Sequence, residues 1–360
     1  MGRPADQQAD YADGRSPVGD DYGNRCAVMK STVNEVENAE AVIPVVILNW
    51  NGEEDTIECL KSIRKSVGAG FVPVLVDNGS KAESLERLKR ECSQIYGRIL
   101  YLKGSEVPKL DNTSRNEFAD YLDRDSLVFI ENGENLGFAK ANNVAMRFAE
   151  AIGAEWVMLL NNDTVVAPET FQELRRFLKS HPEFMAITAQ VRHFRPNTRI
   201  QNCGGDLTYF GSRKYKFANR EASALPETDF SVVSFVTGCA LLFKYKAVGA
   251  LTEDFFFGEE DYEFSLRMKK LGLEMACAHG VVVYHKVGAT LGKNSTRLGA
   301  IARARWQATR VLAYLYLPVL LLRSGIDPRR AVGAIRRVES YLKQNRGVDR
   351  AEFREMISLQ

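Results

Sequence analysis

At 360 residues the chain has room for one large α/β domain with additions, or for two domains. With 45% hydrophobic and 26% charged residues it has the composition of an ordinary soluble globular protein. Its six cysteines (Cys26, Cys59, Cys92, Cys203, Cys239, Cys277) are scattered, with no CxxC pair and no close Cys/His spacing, which argues against a zinc site or a disulfide framework and fits a reducing cytoplasm.

Residues 1–40 are polar and Gly/Asp/Asn-rich, have no apolar signal core, and read as a disordered leader. From residue 41 the pattern alternates between strand and helix. Val42 to Leu48 is a strand, Asn51-Gly52 a turn, and Ile57, Leu60, Ile63 and Val67 share one face of a helix. Val72 to Val76 is the next strand, ended by Asp77-Asn78-Gly79-Ser80, with a helix following to about Cys92. Residues 103–125 are a polar, charged insertion, expected as a surface excursion. Ser126 to Ile130 is a third strand, Ala139 to Ile152 a helix, and Glu155 to Leu160 a fourth strand. This alternation implies a parallel sheet. After residue 180, segments near 185–192, 200–210 and 230–243 read as strands without regular helices between them, shaping an acceptor-facing wall.

Chemistry-bearing residues gather at the strand ends. Asn49 and Asn51, Asp77, Asn135 and Asn161 to Asp163 all follow apolar runs, where open α/β sheets bind ligands. Asn161-Asn162-Asp163-Thr164 admits two readings: a site for a hard divalent cation carrying substrate phosphates, or a turn capping a helix near Pro168. Asp77 offers an acceptor to nucleoside N–H or hydroxyl groups, or else builds a turn. The segment from Asn135 through Gly137 to Asn143 opens a helix whose N-terminus suits a phosphate or sugar.

Farther on, Glu259, Glu260, Asp261 and Glu263 begin a helix beside Phe255, Phe256 and Phe257. Two acids there complement the helix dipole, but four exceed that need and suit a general base. His285 ends the apolar run Val281 to Tyr284. It is structural unless it lies beside Asp163. Residues 291–360 read as helical and carry 14 Lys and Arg against 5 Asp and Glu, whereas the first 290 carry 34 against 41. That basic tail points to an anionic partner such as a membrane surface or phosphate-bearing acceptor, or to a solvated helical face. Its apolar stretch Val311 to Leu322 is too short to cross a bilayer.

In this order, Asn-Trp-Asn-Gly (49–52), Val-Asp-Asn-Gly-Ser (76–80), Glu-Asn-Leu-Gly-Phe-Ala (134–139), Leu-Leu-Asn-Asn-Asp-Thr (159–164), Phe-x-Gly-Glu-Glu-Asp-x-Glu (256–263) and Val-x-Tyr-His-Lys (282–286) resemble family 2 glycosyltransferases of the GT-A fold, nearest the rhamnosyltransferase-like branch. The resemblance covers roughly residues 42–290. It implies an α/β, Rossmann-like, mostly parallel sheet flanked by helices, with a nucleotide-binding half (41–165), an acceptor half (166–290) and a basic helical extension (291–360).

The resemblance also implies roles. Asp77 matches the acid that binds the base, and Asn49 and Asn51 fall where a loop wraps the nucleoside. Asn161-Asn162-Asp163 matches the Asp-x-Asp motif, with Asp163 holding Mg2+ or Mn2+ and His285 assisting. Glu260-Asp261 matches the Glu-Asp motif, with Asp261 as catalytic base. The implied reaction is inverting transfer from a UDP-, dTDP- or GDP-linked sugar to a glycan or lipid-linked acceptor hydroxyl, in polysaccharide biosynthesis at the cell envelope. A cytoplasmic protein is expected, touching the membrane through its basic C-terminal helices and binding no nucleic acid. Those helices pack alternatively on the catalytic domain or on a second copy. A nucleotidyltransferase or a non-catalytic nucleotide-sugar-binding protein are the rival readings.

Overall fold

The computed structural model describes residues 41–111, 113–208, 213–253, 256, 258 and 260–286. The expected leader, the C-terminal helices and Glu259 lie outside the described residues. In chain order the first elements are β1 (Ile43–Asn49), α1 (Glu53–Lys65), β2 (Phe71–Asp77), α2 (Ala82–Ile95), β3 (Arg98–Lys103), β4 (Ser126–Glu131), α3 (Phe138–Ala151) and β5 (Trp156–Asn161). They are followed by β6 (Thr164–Val166), α4 (Thr170–Ser180), β7 (Phe184–His193), β8 (Ile200–Asn202), β9 (Gly205–Leu207) and β10 (Arg213–Tyr215). Last come β11 (Phe230–Val233), β12 (Ala240–Lys244), α5 (Glu260–Lys270) and β13 (Glu274–His285).

The main sheet runs β11-β13-β7-β12-β5-β1-β2-β4-β3, with β6 on β13 and β8 on β7, while β9 and β10 pair apart from it. Strands β5, β1, β2, β4 and β3 are mutually parallel. β12 is antiparallel to both β5 and β7, and β13 is parallel to β7. This mixed, mostly parallel sheet flanked by helices is the α/β architecture expected of the GT-A resemblance.

The apolar runs are continuous because both faces of the sheet are covered. Along β5, Val157 and Leu159 point into the layer that holds Phe148 of α3, whereas Met158 and Leu160 point into the layer that holds Leu60 of α1 and Leu174 of α4. Each such fully buried aliphatic side chain contributes on the order of 1.5–3 kcal/mol. Pro44 and Pro73 sit inside central strands, and position explains the tolerance. The β1–β5 pairing starts at Val45 and the β2–β4 pairing at Val74, one residue after each proline.

Four expectations change. β3, with its alternating exposure and terminal Arg98 and Lys103, is an edge strand that the apolar-run pattern misses. The 103–125 segment is more than a surface excursion, because Val107 and Phe118 are buried and Phe118 packs on Phe148 with ring centroids 6.1 Å apart. The 230–243 run is two strands, β11 and β12, separated by a turn that becomes part of the site. The turn expected to lead from Asn161 directly to a helix contains β6, which pairs with the end of β13, Thr164 opposite His285.

Candidate active site

Register alone gathers polar groups along one edge. Asn49 pairs with Asp77, Asp77 with Glu131, and Leu48, one residue before Asn49, with Asn161. Adjacent strands lie about 4.8 Å apart, so these ends form a continuous rim.

Part of that rim is internally consumed. The Asp77 Oδ1 atom accepts from the backbone N–H groups of Gly79 (3.2 Å) and Ser80 (3.0 Å), and Oδ2 accepts from Asn49 Nδ2 (2.9 Å) and Ser80 Oγ (2.6 Å). A carboxylate has about four acceptor sites, and all are occupied here. The Asn49 amide is fully buried and equally saturated, donating to Asp77 and Ser80 and accepting from Gly52 N and Thr56 Oγ1. Asn49 therefore ties the two loops together instead of facing a nucleoside, as expected from sequence. Asn51, in the left-handed region at φ 50°, completes the tie: its N–H donates to Ser80 Oγ and its Oδ1 accepts from Lys81 N.

The 135–143 segment also departs from expectation. Asn135 Oδ1 accepts from Gly137 N and Asn78 Nδ2, forming a turn inside an asparagine network. At the α3 N-terminus the first N–H is taken, since Phe138 N–H donates to the Phe256 carbonyl at 3.0 Å. Asn143, buried in α3, donates to Leu251 O and Glu253 Oε1 and accepts from Leu251 N, clamping a distant loop. Phe138 and Asn143 thus anchor the polypeptide leading toward Asp261, whereas Asn135 holds its own turn.

Asp163 is different. It follows β5 and precedes β6, and its Oδ1 lies 3.1 Å from His285 Nε2. Burial opposes the imidazolium, but Cys239 and the Asp163 carboxylate outweigh it and hold the His285 pKa well above its ordinary value. The other ring nitrogen, Nδ1, is 2.9 Å from Gln201 Oε1 on β8, which fixes the orientation of the ring. Gln201 lies 84 residues from His285, and no sequence signal marks it. Asn162 donates to Thr56 Oγ1 (3.0 Å), and the Lys286 N–H donates to the Asp163 carbonyl (3.0 Å), so the peptide on both sides of Asp163 is pinned. Lys286 Nζ in turn binds Asp55 and Glu58 of α1, each at 2.5 Å.

Among the described residues no group of three His, Cys, Asp or Glu side chains forms a ready metal cage. Nearby Cys59 is fully buried, which pushes its thiol up to about 12. One carboxylate plus one oriented imidazole, which would have to give up its Nε2 proton to the entering ion, fits a divalent cation whose remaining positions would be water and substrate phosphate oxygens.

Asp261 opens α5. Its Oδ2 accepts from Gly238 N at 3.4 Å, and its Oδ1 lies 3.7 Å from Arg213 Nη2. The other described acids have partners of their own: Glu260 Oε1 accepts from Gly258 N, and Glu263 pairs with Arg267 one turn along. Asp163 and Asp261 meet through the turn before β12. Cys239 O accepts from Asn161 N at 2.9 Å, Cys239 is among the groups that raise the His285 pKa, and its neighbour Gly238 donates its N–H to Asp261. Two acidic centres 98 residues apart in sequence are thus joined by a single dipeptide.

Comparison with known proteins gives the family. The model of the family described as "Glycosyltransferase like family 2" matches residues 41–309. The low-salt glycan biosynthesis hexosyltransferase Agl10 of Haloferax volcanii is 23% identical over 203 residues, covering 55% of this chain. The match spans 63% of that relative, less than two thirds of its length. A glycosyltransferase of Haemophilus influenzae, described as uncharacterized, is 25% identical over 66% of this chain and 80% of its own. Among solved structures, the mannosyltransferase PcManGT from Pyrobaculum calidifontis, in complex with GDP-Man and Mn2+, aligns with 89% of this chain and 78% of its own at 16% identity and a TM-score of 0.47. With a family model covering well over half of its length, the chain belongs to glycosyltransferase-like family 2.

Proposed function

We propose that the protein is an inverting glycosyltransferase that moves a hexose from a nucleotide-diphospho-sugar to the hydroxyl of a glycan or lipid-linked acceptor. The observation that carries this reading is the joining of the Asp163–His285 pair to the Asp261 carboxylate through Gly238-Cys239. One centre suits the leaving group and the other the nucleophile. Asp163 and His285 would hold Mg2+ or Mn2+ against the donor diphosphate. Such an ion neutralises charge developing on the departing nucleoside diphosphate. Asp261 accepts the proton of the attacking hydroxyl, on the opposite face of the sugar. Asp77 and Asn51 shape the nucleoside end of the cleft, Asp77 through the loop it organises. The description of the archaeal relative supports a hexose and a glycan product.

A nucleotidyltransferase would need a basic Gly-rich loop after β1, and Asn49-Trp50-Asn51-Gly52 has neither Lys nor Arg. A non-catalytic binder would leave the Asp261 arrangement unused. The test is incubation with UDP-, GDP- and dTDP-linked hexoses and Mg2+ or Mn2+, following nucleoside diphosphate release and, by NMR, the anomer formed. Release with inversion is expected. Release of pyrophosphate would indicate nucleotidyl transfer, and tight binding without turnover would indicate the binder.

A further inference from the structure

The β9–β10 hairpin stands apart from the main sheet, yet it places one charged side chain against the proposed base. Arg213 lies opposite Leu207 in that hairpin. Its guanidinium centre is 4.8 Å from the Phe235 ring centroid and 5.2 Å from that of Tyr262, the residue after Asp261. The side chain is 9% exposed, whereas the Asp261 side chain beside it is 23% exposed. The cation is therefore more enclosed than the carboxylate beside it.

We propose that Arg213 is the positioning residue for Asp261, fixing the carboxylate in the orientation that receives the acceptor proton. This rests on the reading of Asp261 as base. Burying a guanidinium is costly, and the two aromatic faces and one carboxylate offset that cost only in this geometry. Asp261 is gripped from two sides, Oδ1 by Arg213 and Oδ2 by Gly238 N, which leaves acceptor capacity on both oxygens. Its backbone is held as well: Ser265 Oγ donates to the Asp261 carbonyl at 2.7 Å and accepts from Val236 N at 3.1 Å. Gly205 exchanges both backbone hydrogen bonds with Phe235, so hairpin, turn and helix start form one assembly. Arg213 acts through Asp261 and touches no reacting atom itself.

The test compares Arg213→Met and Arg213→Gln, which remove the charge, with Arg213→Lys, which keeps it without the planar fork. Turnover is read as hydrolysis of whichever UDP-, GDP- or dTDP-hexose the wild-type protein cleaves, and thermal melts are run in parallel. Both neutral variants should lose about 10- to 100-fold in kcat, with donor KM changed no more than about two-fold. Lys should recover part of the loss, and Arg213→Met should cost nothing further in an Asp261→Asn background. In the melts, the Arg213 and Asp261 substitutions should be non-additive. Unchanged kcat, equal damage to kcat and KM without rescue by Lys, or additive melts would each overturn the inference. If Asp261→Asn abolishes turnover while Arg213→Met does not, only the Arg213 role fails. Wild-type turnover in Asp261→Asn would instead remove the base assignment.

Discussion

Asp77 and Asp163 each follow an apolar parallel strand, but their carboxylates are spent differently. Asp77 saturates itself on Asn49, Gly79 and Ser80, whereas Asp163 turns one oxygen to an oriented histidine. Removing Asn49 strips partners from Asp77, Ser80 and Thr56 together. Asn49→Ala should therefore destabilise the protein by about 2–4 kcal/mol, read as a lower denaturation midpoint. Asp163→Ala should leave the fold intact and reduce nucleotide affinity in Mn2+ to the metal-free value; calorimetry showing an undiminished Mn2+ effect would remove the ligand role. His279 gives a pH signature. Burial is the main influence and holds its pKa below the ordinary 6.5, against the Thr228 carbonyl and Asp229. The folded state thus resists protonation, so stability is full above the unfolded pKa and falls as pH drops below about 6.5. His279→Gln should flatten that acid slope in melts between about pH 7.5 and 5.5. At this scale Asp163 and His285 stand out in the sequence because an acid and a histidine at strand ends are rare in apolar surroundings, and Asp261 because its helix opens with more acids than the dipole needs. The parts played by Gln201, Asn143 and Arg213 do not, because they come from partners 48 to 110 residues away.

The site is assembled by short elements that sequence patterns resolve poorly. β6 is only three residues long, yet its pairing with β13 sets His285 beside Asp163. Hydrophobic periodicity needs a longer window than three residues, so this strand reads as a turn. The 234–239 turn was hidden inside an apolar run for the same reason. By contrast β1, β2, β4 and β5 were plain, since burial on both faces demands unbroken apolar sequence. The loop before α5 docks on the α3 N-terminus at Gly137, which has φ 82° and whose added Cβ would lie 2.5 Å from the Phe256 carbonyl oxygen. Gly137→Ala should cost about 1–3 kcal/mol from strain. It should also lower turnover by loosening the segment that leads into Asp261. A Gly137→Ala protein with unchanged melting and turnover would show that this docking is unimportant.

Across the whole molecule, the motif order anticipated the family, and the match over residues 41–309 places the chain in it. The family match does not extend to the rhamnosyl branch, the donor or the acceptor, which motif order does not encode. Among the described residues no helix is long and apolar enough to cross a membrane. The basic residues of 303–337 should nevertheless bring the full chain to anionic vesicles at low salt and release it at high salt. Failure to float with the vesicles at low salt would favour packing of this segment against protein. The central claim is that donor handling and proton transfer are divided between Asp163 and Asp261. The most direct measurement is donor cleavage alongside nucleotide affinity in Asp261→Asn. Loss of about 100-fold or more in turnover with affinity nearly intact is the predicted result. Near-normal turnover would contradict the account.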